Sequence, residues 1–326
     1  MIRLGYQIPF FNYPGATPGN LFDNVAAQAR AAEASGFDTV LVMDHFYQLP
    51  GLGQPEDYML ECYSLLSGLA ACTETVDLAA LVTGNTYRNP TLLVKEITTL
   101  DVISGGRAVL GVGAGWFQAE HDALGFEFGT FTDRFEKLEE ALQIIGPMLR
   151  GERPTFTGKH YSVVEAINEP PPVSPIPIMI GGSGEKKTLR MVAQYADESN
   201  LTCSPGEIVH KLEVLDEHCE RLGRDRSEVS VTWLGTLGIA PTQAEAEQGR
   251  DEFFASRGLD WSSLDEDFRA ALMDRIILGG PSEVTAQVED LLNLGLDGVT
   301  LNMPANGHDP EMVALAGETL SPLFAD

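Results

Sequence analysis

Gly36-Phe37-Asp38-Thr39-Val40-Leu41-Val42-Met43-Asp44-His45-Phe46 is the stretch whose reading decides the fold. Thr39–Met43 is a short run of apolar and β-branched residues, too short for a helix and suited to a buried strand. The segment before it, about Asn20 to Ser35, carries Ala26, Ala29, Ala32 and Ala34 and reads as a helix that Gly36 closes. Arg3–Pro9 reads as an earlier strand. Strand, helix and strand in this order make one unit of a parallel sheet.

The same alternation continues outward to the C-terminus. A helix is expected near Tyr58–Thr73, a third strand over Val76–Thr83, and a helix over Pro90–Ser104 opened by its proline. The fourth strand is Arg107–Val112. His121–Phe131 then reads as a loop, Thr132–Leu149 as a long amphipathic helix and Gly151–Val164 as a strand-like excursion. Glu169–Pro177 is proline-rich and extended. The fifth strand is Pro177–Ile180, followed by a helix over Lys186–Ala196. The sixth and seventh strands fall near Glu198–Thr202 and Val229–Ile239. A polar excursion spans Pro241–Asp274, a helix runs from Gly280 to about Leu294, and an eighth strand, Gly298–Asn302, precedes a helix near Pro310–Leu320. Eight strands predict one closed (β/α)8 TIM barrel formed by residues 1–326, with insertions at about 117–175 and 240–275. A doubly wound sheet is the runner-up, but its first strand–helix turn lacks GxGxxG.

The chain has 326 residues with 21 basic and 48 acidic side chains, a formal charge of −27. This excess speaks against nucleic acid or an anionic membrane as partner, since both need a basic footprint. It also disfavours an anionic substrate. Cys62, Cys72, Cys203 and Cys219 have no CxxC spacing and read as free thiols of a reducing compartment. No signal peptide or membrane span is visible, so a cytoplasmic location is expected. The six histidines are scattered, with no HExxH and no His/Cys cluster, so no metal site is expected.

In such a barrel the chemistry belongs at the C-terminal strand ends. Gly181-Gly182-Ser183-Gly184 joins a strand to a helix and suits a phosphate, because glycines let backbone N–H groups approach closely. Glu185 beside it weighs against a highly charged phosphate chain, and a ligand-free turn is the alternative. His45 can donate to a bound ring or relay a proton, while Asp44 fixes its tautomer or caps the loop. Gly111-Val112-Gly113-Ala114-Gly115 lets a planar ligand approach, or serves close packing of strand and helix. Trp116, Phe117, Phe126, Phe128 and Phe131 read equally as core, lid or substrate wall.

Taken in order, several blocks resemble the bacterial luciferase-like oxidoreductases. They are Leu4-Gly5-Tyr6-Gln7-Ile8-Pro9-Phe10, Met43-Asp44-His45-Phe46, Leu81–Pro90, Leu100–Arg107, Leu110–Trp116, Pro177–Gly182 and Gly279–Val284. The resemblance implies a barrel that binds coenzyme F420 or FMN at its C-terminal mouth, and the Asp-His-Phe form favours coenzyme F420. It implies that His45 lies near the redox ring as the catalytic residue, with Asp44, Leu81, Val82, Thr83, Asn85, Ala114 and Gly115 also holding the cofactor. The phosphate turn maps to Gly181, Gly182, Ser183 and Gly184. It implies a non-prolyl cis peptide against the ring, at Leu81–Val82 or one residue either side. Trp116 and Phe117 are assigned to the substrate pocket. Related sugar-phosphate dehydrogenases carry an acid where Trp116 stands, which puts a sugar phosphate in doubt. The expected function is hydride transfer between the deazaflavin and a small organic substrate. The alternatives are an FMN-dependent monooxygenase and a non-catalytic flavin-binding barrel. A homodimer is left open.

Overall fold

The computed structural model describes residues 1–325. In chain order the strands are β1 (Leu4–Ile8), β2 (Thr39–Val42), β3 (Asp77–Ala80), β4 (Thr83–Gly84), β5 (Ala108–Gly113), β6 (Phe156–Thr157), β7 (Ser162–Val163), β8 (Ile178–Gly181), β9 (Glu198–Leu201), β10 (Ser230–Ile239), β11 (Ile276–Gly279) and β12 (Gly298–Asn302). The α-helices are α1 (Leu21–Ser35), α2 (Cys62–Ala70), α3 (Pro90–Ser104), α4 (Gln118–Leu124), α5 (Phe131–Leu149), α6 (Thr188–Tyr195), α7 (Ile208–Leu222), α8 (Gln243–Ala255), α9 (Glu266–Met273), α10 (Pro281–Leu292) and α11 (Pro310–Leu320).

The parallel sheet closes on itself. β1 pairs with β2 on one side and with β12 on the other, in register Leu4↔Val299. The path runs β1-β2-β3-β5-β8-β9-β10-β12, with β4 continuing the third stave against β5. Closure removes the doubly wound alternative, because an open sheet would leave two edges. β11 is outside the eight staves and extends the far half of β10.

Local chemistry explains the element ends. Asn89 caps α3 by accepting from Thr91 N, Pro90 occupies its first turn, and Gly105 leaves it at φ 73°. Thr130 and Asp133 form a capping box at the start of α5. Gly36 ends α1 at φ 100°. Along β2, Val40 and Val42 belong to the core between sheet and helices, while Leu41 belongs to a small inner cluster with Ile2, Ala79, Val109 and Met179. Each fully buried Leu or Ile of these layers contributes about 2 kcal/mol.

Several expectations are corrected. α2 begins only at Cys62, because the Glu61 side chain accepts from Tyr63 N and Ser64 N and sets the cap there. His121–Phe131 is not all loop, since α4 reaches Leu124. The strand-like excursion is a short antiparallel hairpin, β6–β7. α7 has no counterpart in the sequence reading, and the polar stretch 241–274 contains α8 and α9. The third strand is interrupted between Ala80 and Thr83. No helix among the described residues is long and apolar enough to cross a membrane.

Candidate active site

The C-terminal strand ends surround one cavity of about 580 Å³. Every stave contributes to its lining: Gln7 from β1, Asp44 and His45 after β2, Leu81 to Gly84 from the third stave, and Gly115 and Trp116 after β5. Gly181 and Gly182, Asn200, Leu234 to Thr236, and Asn302 complete it from β8, β9, β10 and β12.

The glycines of β5 have a role that the sequence did not disclose. A Cβ on Gly111 would lie 1.9 Å from the Ala80 carbonyl oxygen. One on Gly113 would lie 2.8 Å from the Val82 side chain, and one on Gly181 equally close to it. The glycines therefore make room for the interruption of the third stave, which pushes Leu81 and Val82 against the cavity. The Leu81–Val82 peptide bond is cis.

His45 stands at the cavity wall with its Nδ1 2.9 Å from Glu120 Oε2. Its ring meets Trp116 and Phe117 edge-on, at centroid distances of 5.8 and 5.9 Å. No hydrogen bond joins the Asp44 carboxylate to the His45 ring. Its carboxylate is clamped by Arg88 at 2.6 and 3.0 Å and accepts from Gly84 N at 2.9 Å, tying the end of β2 to β4. Burial pulls the Arg88 guanidinium down, but Asp44 outweighs it and holds the group above its ordinary range. Glu120, on α4, is the group that orients His45, and the sequence reading missed it. Nothing in the sequence marks it, since its burial and its partners appear only in the folded chain.

The glycine turn after β8 is partly engaged. Gly182, at φ 117°, gives its N–H to Asn200 O. The N–H groups of Ser183 and Gly184 make no hydrogen bond among the described residues. Ser183 Oγ accepts from Thr202 N at 2.9 Å. α6 starts at Thr188, later than the predicted Lys186. Glu185 does not face an anion unpaired: Lys211 holds it at 2.6 Å and, foremost among the causes, keeps its carboxyl below the usual range.

Asn85, Ala114, Phe117, Ser183 and Gly184 do not line the cavity. Asn85 is buried behind it, with Nδ2 3.5 Å from the Tyr161 hydroxyl. Phe117 stacks on Trp116 at 5.1 Å, backing the wall. Phe126 and Phe128 pack behind Tyr87 and His121, and Phe131 sits on Phe135 at the outer end of α5. Trp116 is 61% exposed at the cavity mouth.

Two lining groups had no sequence signal. Asn200 gives Nδ2 to Thr232 at 2.9 Å, while its buried Oδ1 accepts nothing. Arg275 gives one nitrogen to Leu234 O, and its buried Nε has no partner. Gln7, Asn302 and Thr236 are joined by amide and hydroxyl hydrogen bonds of 2.9 to 3.0 Å. One side of the cavity is therefore apolar and the other carries hydrogen-bonding groups. Elsewhere, Asp133, Glu136 and His160 converge, but Lys159 Nζ already lies 3.3 Å from Asp133 and 2.8 Å from Glu136. The four cysteines are free.

Three likenesses to known proteins bear on this arrangement. The F420-dependent glucose-6-phosphate dehydrogenase of Microbacterium testaceum is 30% identical over 312 residues, covering 89% of this chain and 90% of that protein. The 5,10-methylenetetrahydromethanopterin reductase of Methanolobus tindarius is 25% identical, covering 91% and 95%. The solved coenzyme F420 dependent tetrahydromethanopterin reductase of Methanopyrus kandleri superposes with a TM-score of 0.78 at 20% identity, over 99% of each chain, and so shares the fold. A family model described as luciferase-like monooxygenase matches residues 2–298, and the chain belongs to that family.

Proposed function

We propose that this chain is an F420-dependent oxidoreductase acting on a small organic molecule. The observation that carries the proposal is the single cavity that brings His45 and the Gly181–Gly182 turn together at the ends of eight staves. Its residues fit the cofactor. The apolar Leu81–Val82 side suits the face of a planar ring, and the Asn200 and Arg275 atoms left without partners suit ring or chain heteroatoms. The Ser183 and Gly184 N–H groups at the entry to α6 suit a phosphate. A bound deazaflavin supplies a two-electron hydride carrier. The chain binds it, keeps water from the apolar side and holds His45 as the group that gives or takes a proton.

The remaining assignments follow the same reading. Asp44, Thr83, Ala114, Gly115 and Asn85 shape the cofactor site, Ala114 and Asn85 from behind its surface. Trp116, backed by Phe117, forms the substrate wall. The sugar phosphate of the dehydrogenase relatives is not carried over, because the cavity mouth here presents the large apolar face of Trp116. The whole chain acts as one unit in the cytoplasm, and a homodimer is compatible with it. Gly182→Glu tests the phosphate turn: titration of coenzyme F420 should show affinity weakened at least about tenfold, or 1.4 kcal/mol. Unchanged affinity would remove the turn from the site.

A further inference from the structure

Glu120 has no solvent exposure, and both of its oxygens are in use. Oε1 accepts the backbone N–H groups of Phe46 and Tyr47, at 2.5 and 2.7 Å. Oε2 accepts the Tyr87 hydroxyl at 2.5 Å and faces His45 Nδ1 at 2.9 Å. The two oxygens therefore differ in purpose. Oε1 ties the loop after β2 to α4, which an amide oxygen would do equally well. Oε2 serves two side chains that line the cavity, His45 and Tyr87.

Hydrogen bonding dictates where the imidazole proton sits. Burial pushes the Glu120 carboxyl up, but the hydrogen bonds from His45, Tyr87 and Tyr47 outweigh it and hold the group below its ordinary range. An ionised carboxylate only accepts, so the ring nitrogen facing it carries a proton. Nε2 of the same ring has no partner among the described residues, and Trp116 and Phe117 confine the ring edge-on.

We propose that Glu120 is the positioning residue of this site, fixing the proton on His45 Nδ1 so that Nε2 is the nitrogen that exchanges a proton with bound substrate. This rests on the reading of His45 as catalytic. For oxidation of a carbinol, a bound deazaflavin would be the two-electron oxidant that takes the hydride of the broken C–H bond. The O–H proton passes to Nε2 and the C=O bond forms. Glu120 then faces an imidazolium, whose charge it balances. The reverse reaction returns hydride to carbon and the proton from Nε2 to oxygen.

The test is the tautomer of His45, read by nitrogen NMR of the full-length chain with isotopically labelled histidine, under mildly alkaline conditions where an imidazole is neutral. The His45→Ala variant identifies the signal. The wild type should carry the proton on Nδ1 with Nε2 bare. In Glu120→Gln the amide oxygen stays with Phe46 and Tyr47, the amide nitrogen donates to Nδ1, and the proton should move to Nε2. Tyr87→Phe should leave it on Nδ1. A proton on Nε2 in the wild type overturns the proposal, and so does one that remains on Nδ1 in folded Glu120→Gln. If Glu120→Gln does not fold, the wild-type tautomer alone decides. No cofactor enters the measurement, so failure to bind coenzyme F420 would sink the functional reading and leave this result standing.

Discussion

Arg88 reaches three carboxylates: Asp44 through two contacts, Glu61 at 2.8 Å and Glu96 at 2.9 Å. Asp44 is buried, so removing its cation leaves an uncompensated charge, which costs about 3–5 kcal/mol. Arg88→Met should therefore lower unfolding stability by that amount in a urea titration; a loss below about 1 kcal/mol would show that Asp44 finds other compensation. Glu120 behaves differently with pH. Its folded-state pKa lies below the unfolded value, so its stabilisation is full above the ordinary carboxyl range and is lost as pH falls through the depressed value. Glu120→Gln should be less stable than wild type near neutrality, with the gap narrowing in acid. Stability curves at several pH values check this. His45→Ala should keep the fold and slow hydride transfer at least about a hundredfold, the lower range for general acid–base catalysis. Near wild-type single-turnover rates would remove His45 from the chemistry.

At the scale of elements, the eight barrel strands were legible as short apolar runs, and α1, α3 and α5 by the helical spacing of their apolar residues. Pro90–Ser104 and Pro310–Leu320 carry both the proline start and the pattern, and the sequence bounds match the structure. α4 was not legible. It has seven residues, and its fully buried positions are Glu120 and His121, so a search for apolar periodicity returns a loop. α7 and α8 bury only three and two residues, leaving almost no stripe to detect. β11 is masked by the Gly280-Pro281 start signal that follows it. The candidate site shows the same division. His45 and the glycine turn could be read as motifs, whereas Glu120, Asn200 and Arg275 reach the site only through tertiary packing. The break in the third stave also needs β5 backbone to come close. Gly111→Ala would drive a Cβ into the Ala80 carbonyl oxygen. It should cost at least about 3 kcal/mol, the upper range for overpacking, because backbone cannot yield as a side chain does. Thermal and urea unfolding measure this, and a change under about 1 kcal/mol would contradict the close approach.

For the whole molecule, net charge and site charge separate. The formal charge of −27 made an anionic ligand look disfavoured, yet the cavity wall holds Arg275, and its Asp44 is neutralised by Arg88. An excess spread over a solvated surface is screened within about 8–10 Å and does not set the potential of a lined cleft. The closed barrel gathers eight strand ends around one cavity, and membership of the luciferase-like family accords with that architecture. The central claim is that this cavity is built for a deazaflavin. It is tested most directly by titrating the purified chain with coenzyme F420 and with FMN under one set of conditions. Affinity for coenzyme F420 should exceed that for FMN by at least about tenfold, a difference of 1.4 kcal/mol. Tighter FMN binding accompanied by oxygen-dependent turnover would contradict the account and assign the chain to FMN-dependent monooxygenation.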